Sequence, residues 1–259
     1  MGDYANAAKY SSIVMEKVPL AKHDEYVGMF RKAQENPGEG IFRLNTYDTG
    51  SGMRALYNPT GNQKLQPAPE FIAKFDDSDV RKELFTFTGE KEDGTQYEGK
   101  EYTTVCKYLP IKSGVSDEKN RRSDFFVLRV SEMYLIHAEA LCKGASADLS
   151  AAAEDVKAIR ARALGTTPDK IALNWMSASD LDSIIQEERT KELCFEGHRF
   201  FDIKRRMENI TRPQSTTSTA KSLTWPDIHY ALPICQLELQ ANDYMVQNEG
   251  YSGRKTIGE

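Results

Sequence analysis

One stretch, residues 179–207, SDLDSIIQEERTKELCFEGHRFFDIKRRM, constrains this chain more than any other. Ser179 is a good helix N-cap, and Asp180 and Asp182 place negative charge where the helix dipole favours it. Leu181, Ile184 and Ile185 begin an apolar face. Continuing it by threes and fours brings Arg189, Glu192, Glu196 and Arg199 in among Leu193, Phe200 and Ile203. The spacing predicts one helix whose inner face carries a partly buried ionic ladder, with Arg189, Glu192, Glu196 and Arg199 pairing at i,i+3 and i,i+4 or bridging to a neighbouring helix. The alternative is a solvated charged face. Phe195, Phe200 and Phe201 argue against it, because so much aromatic surface beside the charges makes solvation of both unfavourable.

The rest of the chain is mainly α, with helical hairpins, long loops and a small β ribbon. Residues 3–18 and 24–36 repeat apolar positions at helical spacing, separated by Pro19, and suggest a helical hairpin whose alanine-rich first member faces another helix. Residues 41–44 read as a strand, and 69–75 and 79–84 as short helices. The segments 84–88 and 102–108 alternate as a ribbon around the hairpin signal Asp93-Gly94. A helix capped by Ser123 or Asp124 runs to about Lys143 with Gly144 as its stop, and a second, from Leu149 or Ser150 to Leu164 and ended by Gly165, pairs with it. Residues 212–224, rich in Ser and Thr, read as an exposed mobile loop, 229–234 as extended, and 236–241 as helical turns.

The run Glu188-Arg189-Thr190-Lys191-Glu192-Leu193 and Phe195-Glu196-Gly197-His198-Arg199-Phe200-Phe201-Asp202 resembles the ER-x-x-EL-x-FEG-x-R-x-x-D signature of the SusD/RagB family. Two further stretches agree in order: Val127-Leu128-Arg129-Val130-Ser131-Glu132 with Ala138-Glu139-Ala140, and Leu232-Pro233-Ile234 through Asn242 to Gln247-Asn248-Glu249-Gly250-Tyr251. The resemblance implies a Bacteroidetes nutrient-binding lipoprotein of the outer membrane, exposed at the cell surface. Such proteins contain tetratricopeptide-like helical pairs and serve a SusC-like TonB-dependent transporter. It covers roughly the second half of a usual member, as a single SusD-like region over 1–259, with the family's N-terminal half and its lipid anchor absent from the chain. It also implies that Gln247 to Tyr251 is ordered, with Tyr251 packed on the helical core. In the ionic network, Arg129, Glu132 and Glu139 are then expected to meet the charged stripe of the 179–207 helix, since an unpaired buried charge is costly.

Composition excludes more than it identifies. The 39 acidic against 34 basic side chains, without a basic stripe, exclude nucleic acid as main partner. Cys106, Cys142, Cys194 and Cys235 have no CxxC or metal spacing and read as single buried thiols. The histidines, His23, His137, His198 and His229, lack metal-type spacing, so no metal and no cofactor are expected. There is no GxSxG, HExxH, P-loop or GxGxxG ahead of a helix. The densest carboxylates, Glu187, Glu188, Glu192 and Glu196, have arginines nearby that keep them ionised, which is poor preparation for a general acid.

A binding protein is therefore expected rather than an enzyme. It would capture a glycan or other nutrient; a helical scaffold for a peptide or protein is the alternative. Sugar rings stack on flat apolar faces presented by irregular loops. The aperiodic loop with Tyr47 and Tyr57 is the first candidate, with Asp48, Arg54 and Asn58 as hydroxyl partners, and Trp225 is the second. Trp175, beside Leu173 and Met176, reads as a core position.

Overall fold

The computed structural model describes residues 2–31, 38–44, 52–59, 63–88, 101–109 and 124–252. In chain order these form α1 (Tyr4–Met15), α2 (Tyr26–Arg31), β1 (Gly40–Leu44), α3 (Gly52–Tyr57), α4 (Pro69–Ile72), β2 (Thr86–Phe87) and β3 (Tyr102–Thr103). There follow β4 (Phe125–Arg129), α5 (Val130–Lys143), α6 (Leu149–Leu164), α7 (Ala178–Glu192), α8 (His198–Arg206), β5 (Ile210–Thr211), β6 (Ser222–Leu223) and α9 (Gln236–Ala241). Short 3-10 turns at Val80–Phe85, Cys106–Tyr108, Pro168–Lys170 and Ile228–Tyr230 join them. The architecture is mainly helical with three small antiparallel strand pairs among the described residues. Asp93-Gly94 lies outside these residues.

Contacts divide the chain into two compact units, Met1–Arg199 and Phe200–Glu259. In the first, α1 packs on α5, α5 on α6, and α7 on both α5 and α6. Small residues allow the close approach: Ala138 and Cys142 of α5 meet Ala152, Ala153 and Val156 of α6, with Leu181 and Ile185 of α7 completing the core and Trp175 packed at its margin. Asp148 caps α6, its carboxylate accepting from Ala151 N–H, and Gly165 closes it in the left-handed conformation at φ 63°. A second core joins Tyr26, Met29 and Phe30 of α2 to Val80, Leu84, Phe87, Cys106 and Phe126.

Three boundaries differ from the sequence expectation. The helix expected from residue 123 or 124 begins at Val130, because Phe125–Arg129 alternates as β4 and pairs antiparallel with β1, setting Phe42 opposite Leu128. Ser177, not Ser179, caps α7: its Oγ accepts from Asp180 N–H at 3.1 Å, while the Asp180 carboxylate accepts from Met176 N–H at 3.1 Å. The helix expected over 179–207 breaks after Glu192, where Phe195 and Gly197 take left-handed φ values of 63° and 89°.

In the second unit most of the Ser/Thr-rich segment is the largely exposed loop that joins β5 to β6. Arg212 N–H donates to Lys221 carbonyl at 2.8 Å, and the Lys221 ammonium donates to the carbonyls of Gln214 and Thr216. Of the residues 229–234 expected as extended, the first two belong to the 3-10 turn Ile228–Tyr230. Gln247 is bonded both ways to Ile234, donating to its carbonyl at 3.0 Å and accepting from its N–H at 2.8 Å, and Asn248 donates to Leu232 carbonyl at 2.6 Å. A side-chain amide thus mimics a strand partner for an isolated extended segment. Tyr251 stands edge-on to His229 at 6.0 Å. Cys106, Cys142 and Cys194 are buried thiols, but Cys235 is exposed, since it precedes α9 on the surface of this small unit.

Candidate functional site

The charged stripe of α7 is the most heavily buried polar feature of the first unit. Glu188 and Glu192, four residues apart, share the inner face of α7, and the turn after it brings Glu196 alongside. Their cations come from distant segments. Arg129, 1% exposed at the end of β4, donates to Glu39 and Glu192 at 2.6 Å each and to the two oxygens of Glu196 at 2.8 and 2.9 Å. Arg81 bonds Glu188 at 2.6 Å, Glu192 at 3.0 Å and Asp79 at 2.7 Å. Arg162 reaches Glu192 at 2.6 Å and Arg160 reaches Glu188 at 2.7 Å. The Lys107 ammonium meets Glu196 at 2.5 Å and the carbonyls of Glu192 and Cys194 at 3.2 and 3.1 Å, closing the C-terminal end of α7.

Five cations thus face five carboxylates, Glu39 and Asp79 included, so the cluster is neutral and each desolvated charge has partners. Burial alone would raise the glutamate pKa values. For Glu192 it is outweighed by Arg162, Arg129 and Arg81, which hold the carboxyl well below its usual range. Glu188 is lowered by Arg81 and Arg160, and Glu196 by Arg129 and Lys107, in each case against the same effect of burial. Carboxylates held ionised by paired cations in this way are suited to anchoring a fold.

The network differs in detail from the expected ladder. Arg189 reaches across to Glu132 of α5 at 3.1 Å, with His198 3.4 Å from the same oxygen. Glu139 accepts from Gln186 at 3.0 Å. Arg199 is exposed and stands outside the network, because the break at 193–197 turns it off the α7 face. Phe201 is likewise 68% exposed. Glu188, Glu39, Asp79, Arg81, Lys107, Arg160 and Arg162 were not foreseen as members. Glu188, at i−4 from Glu192, carried a usable signal; the others come from segments whose patterns do not point to α7.

The proposed ligand residues fall in separate parts of the chain, Tyr57 and Asn58 in the first unit and Trp225 in the second. Tyr47, Asp48 and the side chain of Arg54 lie outside the described residues. Tyr57 is 4% exposed, stacked on Tyr108 at 5.7 Å and edge-on to Phe195 at 6.0 Å, so its ring belongs to the core instead of a sugar platform. Asn58 is half-buried. In the second unit Trp225 is half-buried, edge-on to Tyr230 at 4.6 Å, and its main-chain N–H donates to the Asn209 side-chain oxygen at 2.8 Å. Among the described residues no group of three His, Cys, Asp or Glu is placed to hold a metal, and no helix is long and apolar enough to cross a membrane.

Comparison with known proteins gives the family. The SusD family model matches residues 82–251, and the chain belongs to the SusD family. Among solved structures it is similar to a SusD superfamily protein from Bacteroides vulgatus ATCC 8482, with 26% identity and a TM-score of 0.75 over 97% of this chain and 56% of that one. A SusD superfamily protein from Bacteroides thetaiotaomicron VPI-5482 shares 26% identity, with a TM-score of 0.71 over 96% and 57%. A putative sugar binding protein from Bacteroides vulgatus ATCC 8482, at 23% identity and a TM-score of 0.75 over 97% and 56%, shares the fold. The chain thus spans little more than half the length of these relatives. Among proteins with curated functions none matches it.

Proposed function

We propose that this chain belongs to a cell-surface lipoprotein that captures oligosaccharide for a TonB-dependent outer-membrane transporter. Membership of the SusD family across residues 82–251 carries the reading. The local chemistry supports it: the buried carboxylates along α7 are tied up in a neutral cluster, which suits a rigid scaffold for binding. Trp225 offers the kind of aromatic face on which a sugar ring stacks, steadied by Tyr230 and Asn209. A separate candidate in the first unit is the loop around Asn58, with Asp48 and Arg54 near it in sequence as proposed hydroxyl partners. The test is a titration with oligosaccharides followed by tryptophan fluorescence, in which Trp175, packed at the helical core, acts as an internal reference. Saturable change that disappears in Trp225→Ala is expected; a response unaltered by that substitution removes Trp225 from the site. A peptide-binding scaffold is the second reading, favoured by Tyr10 and Ile13, 60% and 37% exposed on α1. Binding to peptide arrays without response to any glycan would support it.

A further inference from the structure

A cleft of about 380 Å³ opens in the first unit between α6, α7, the turn Pro168–Lys170 and the segment after α4. Its floor is saturated. Glu188 is shared by Arg81 and Arg160, and Asp79 is held by Arg81. Its walls retain hydrogen-bonding capacity. Arg160 uses only Nε on Glu188, leaving its terminal nitrogens without a hydrogen-bond partner among the described residues. Lys170 and Asp76 are exposed on the lining, and Glu187 meets only Lys191, at 3.5 Å. Leu164 and Ile171 add hydrocarbon.

These groups select a ligand class. The lining carries four acidic and four basic side chains, so an anion meets Asp76 and Glu187 and a cation meets Arg160 and Lys170. An apolar ligand would bury charges without replacing their water. A neutral polyol satisfies both signs, because each hydroxyl donates and accepts. We propose that this cleft is a subsite for one neutral sugar ring, a claim that rests on the glycan-capture reading above. Arg160 and Lys170 donate to ring hydroxyl oxygens, Asp76 and Glu187 accept from ring hydroxyls, and the C–H face of the ring lies on Leu164 and Ile171. At about 380 Å³ the cleft is within the range of small-ligand sites.

The experiment is an NMR titration of the full chain with the methyl glycosides of glucose, galactose, mannose and xylose, with glycine and inorganic phosphate as comparison probes. Shifts centred on Asp76, Lys170 and Lys191 are expected for at least one glycoside and for neither comparison probe at the same concentration. Lys170→Ala and Asp76→Ala, both exposed and outside the ionic cluster, should preserve the amide spectrum and each weaken that glycoside by about tenfold, the effect of one charge-assisted hydrogen bond. Preferential shifts by phosphate or glycine overturn the assignment of ligand class. Unchanged affinity in both variants overturns the subsite. Glycoside shifts at Trp225 with an unmoved cleft overturn the cleft alone and leave glycan capture standing, whereas no response to any glycoside anywhere in the chain counts against both.

Discussion

The guanidinium of Arg129 lies 2.6 Å from the carboxylate of Glu192, 63 positions further along the chain, and also donates to the main-chain carbonyl of that residue. Strand β4 is thereby fixed to the C-terminal turn of α7, and through Glu39, whose carbonyl accepts from Val130 N–H at 3.0 Å, β1 is fixed as well. Side-chain and main-chain bonds here specify one register of β1, β4 and α7.

Glu196→Gln should therefore destabilise the first unit by about 3–5 kcal/mol, because Lys107 and Arg129 each lose a charged partner in a site closed to water. Arg199→Ala, at an exposed position, should change stability by less than about 0.5 kcal/mol. Urea unfolding of the two variants checks the contrast; equal losses would show that both charges are buried alike.

Between α5 and α6, His137 Nδ1 lies 2.7 Å from Asp155 Oδ2. Burial pushes the Asp155 carboxyl up to about 6, against the opposing pull of His137. A group raised in the folded state contributes stability that is present below its unfolded pKa of 3.8 and lost as pH rises through about 6. Glu188, Glu192 and Glu196, lowered on folding, work in the opposite sense: their contribution is present above 4.5 and lost as pH falls through their folded values. Denaturation followed from pH 3 to 7.5 should show an acid limb from the glutamates. Asp155→Asn should remove a separate decline on the order of 1–3 kcal/mol between about pH 4 and 6. An unaltered profile in that window would contradict the assignment.

Gly197 takes φ 89°, and a Cβ built there meets nothing within 4 Å. Gly197→Ala therefore tests backbone strain without steric interference, and a loss of about 1–2 kcal/mol is expected. A neutral substitution would mean that the left-handed turn is not needed to swing Glu196 under Arg129. In the second unit, Gln247→Ala should speed hydrogen exchange at Ile234 N–H and lower stability by about 1–3 kcal/mol, since two backbone groups lose their partner. Unchanged exchange at Ile234 would show that the amide does not hold the segment.

Helical periodicity made α6 readable, with Gly165 as its stop, although the Asp148 cap was not singled out, and it placed Glu192 and Glu196 in an ionic cluster. It could not show that α7 ends at Glu192, because the helical propensity of LCFEGHRF gives little hint that Phe195 takes φ 63°. The cations were hidden for a different reason. Arg81 and Lys107 sit in 3-10 turns with no extended pattern around them, and only tertiary closure brings them to α7. Tyr57 misled because an aromatic next to Asn58-Pro59 resembles an exposed loop tip, whereas packing against Tyr108 and Phe195 buries it.

The most direct test of the buried cluster as organiser of the fold is a double-mutant cycle between Arg129 and Glu192. Arg129→Met and Glu192→Gln are each expected to cost about 3–5 kcal/mol, since each leaves the other charge buried and short of a partner. The double variant should cost less than the sum of the two, with a coupling of about 2 kcal/mol or more in urea unfolding. Losses that add within about 0.5 kcal/mol would contradict the account, because two residues 2.6 Å apart in a shared network cannot behave as independent sites.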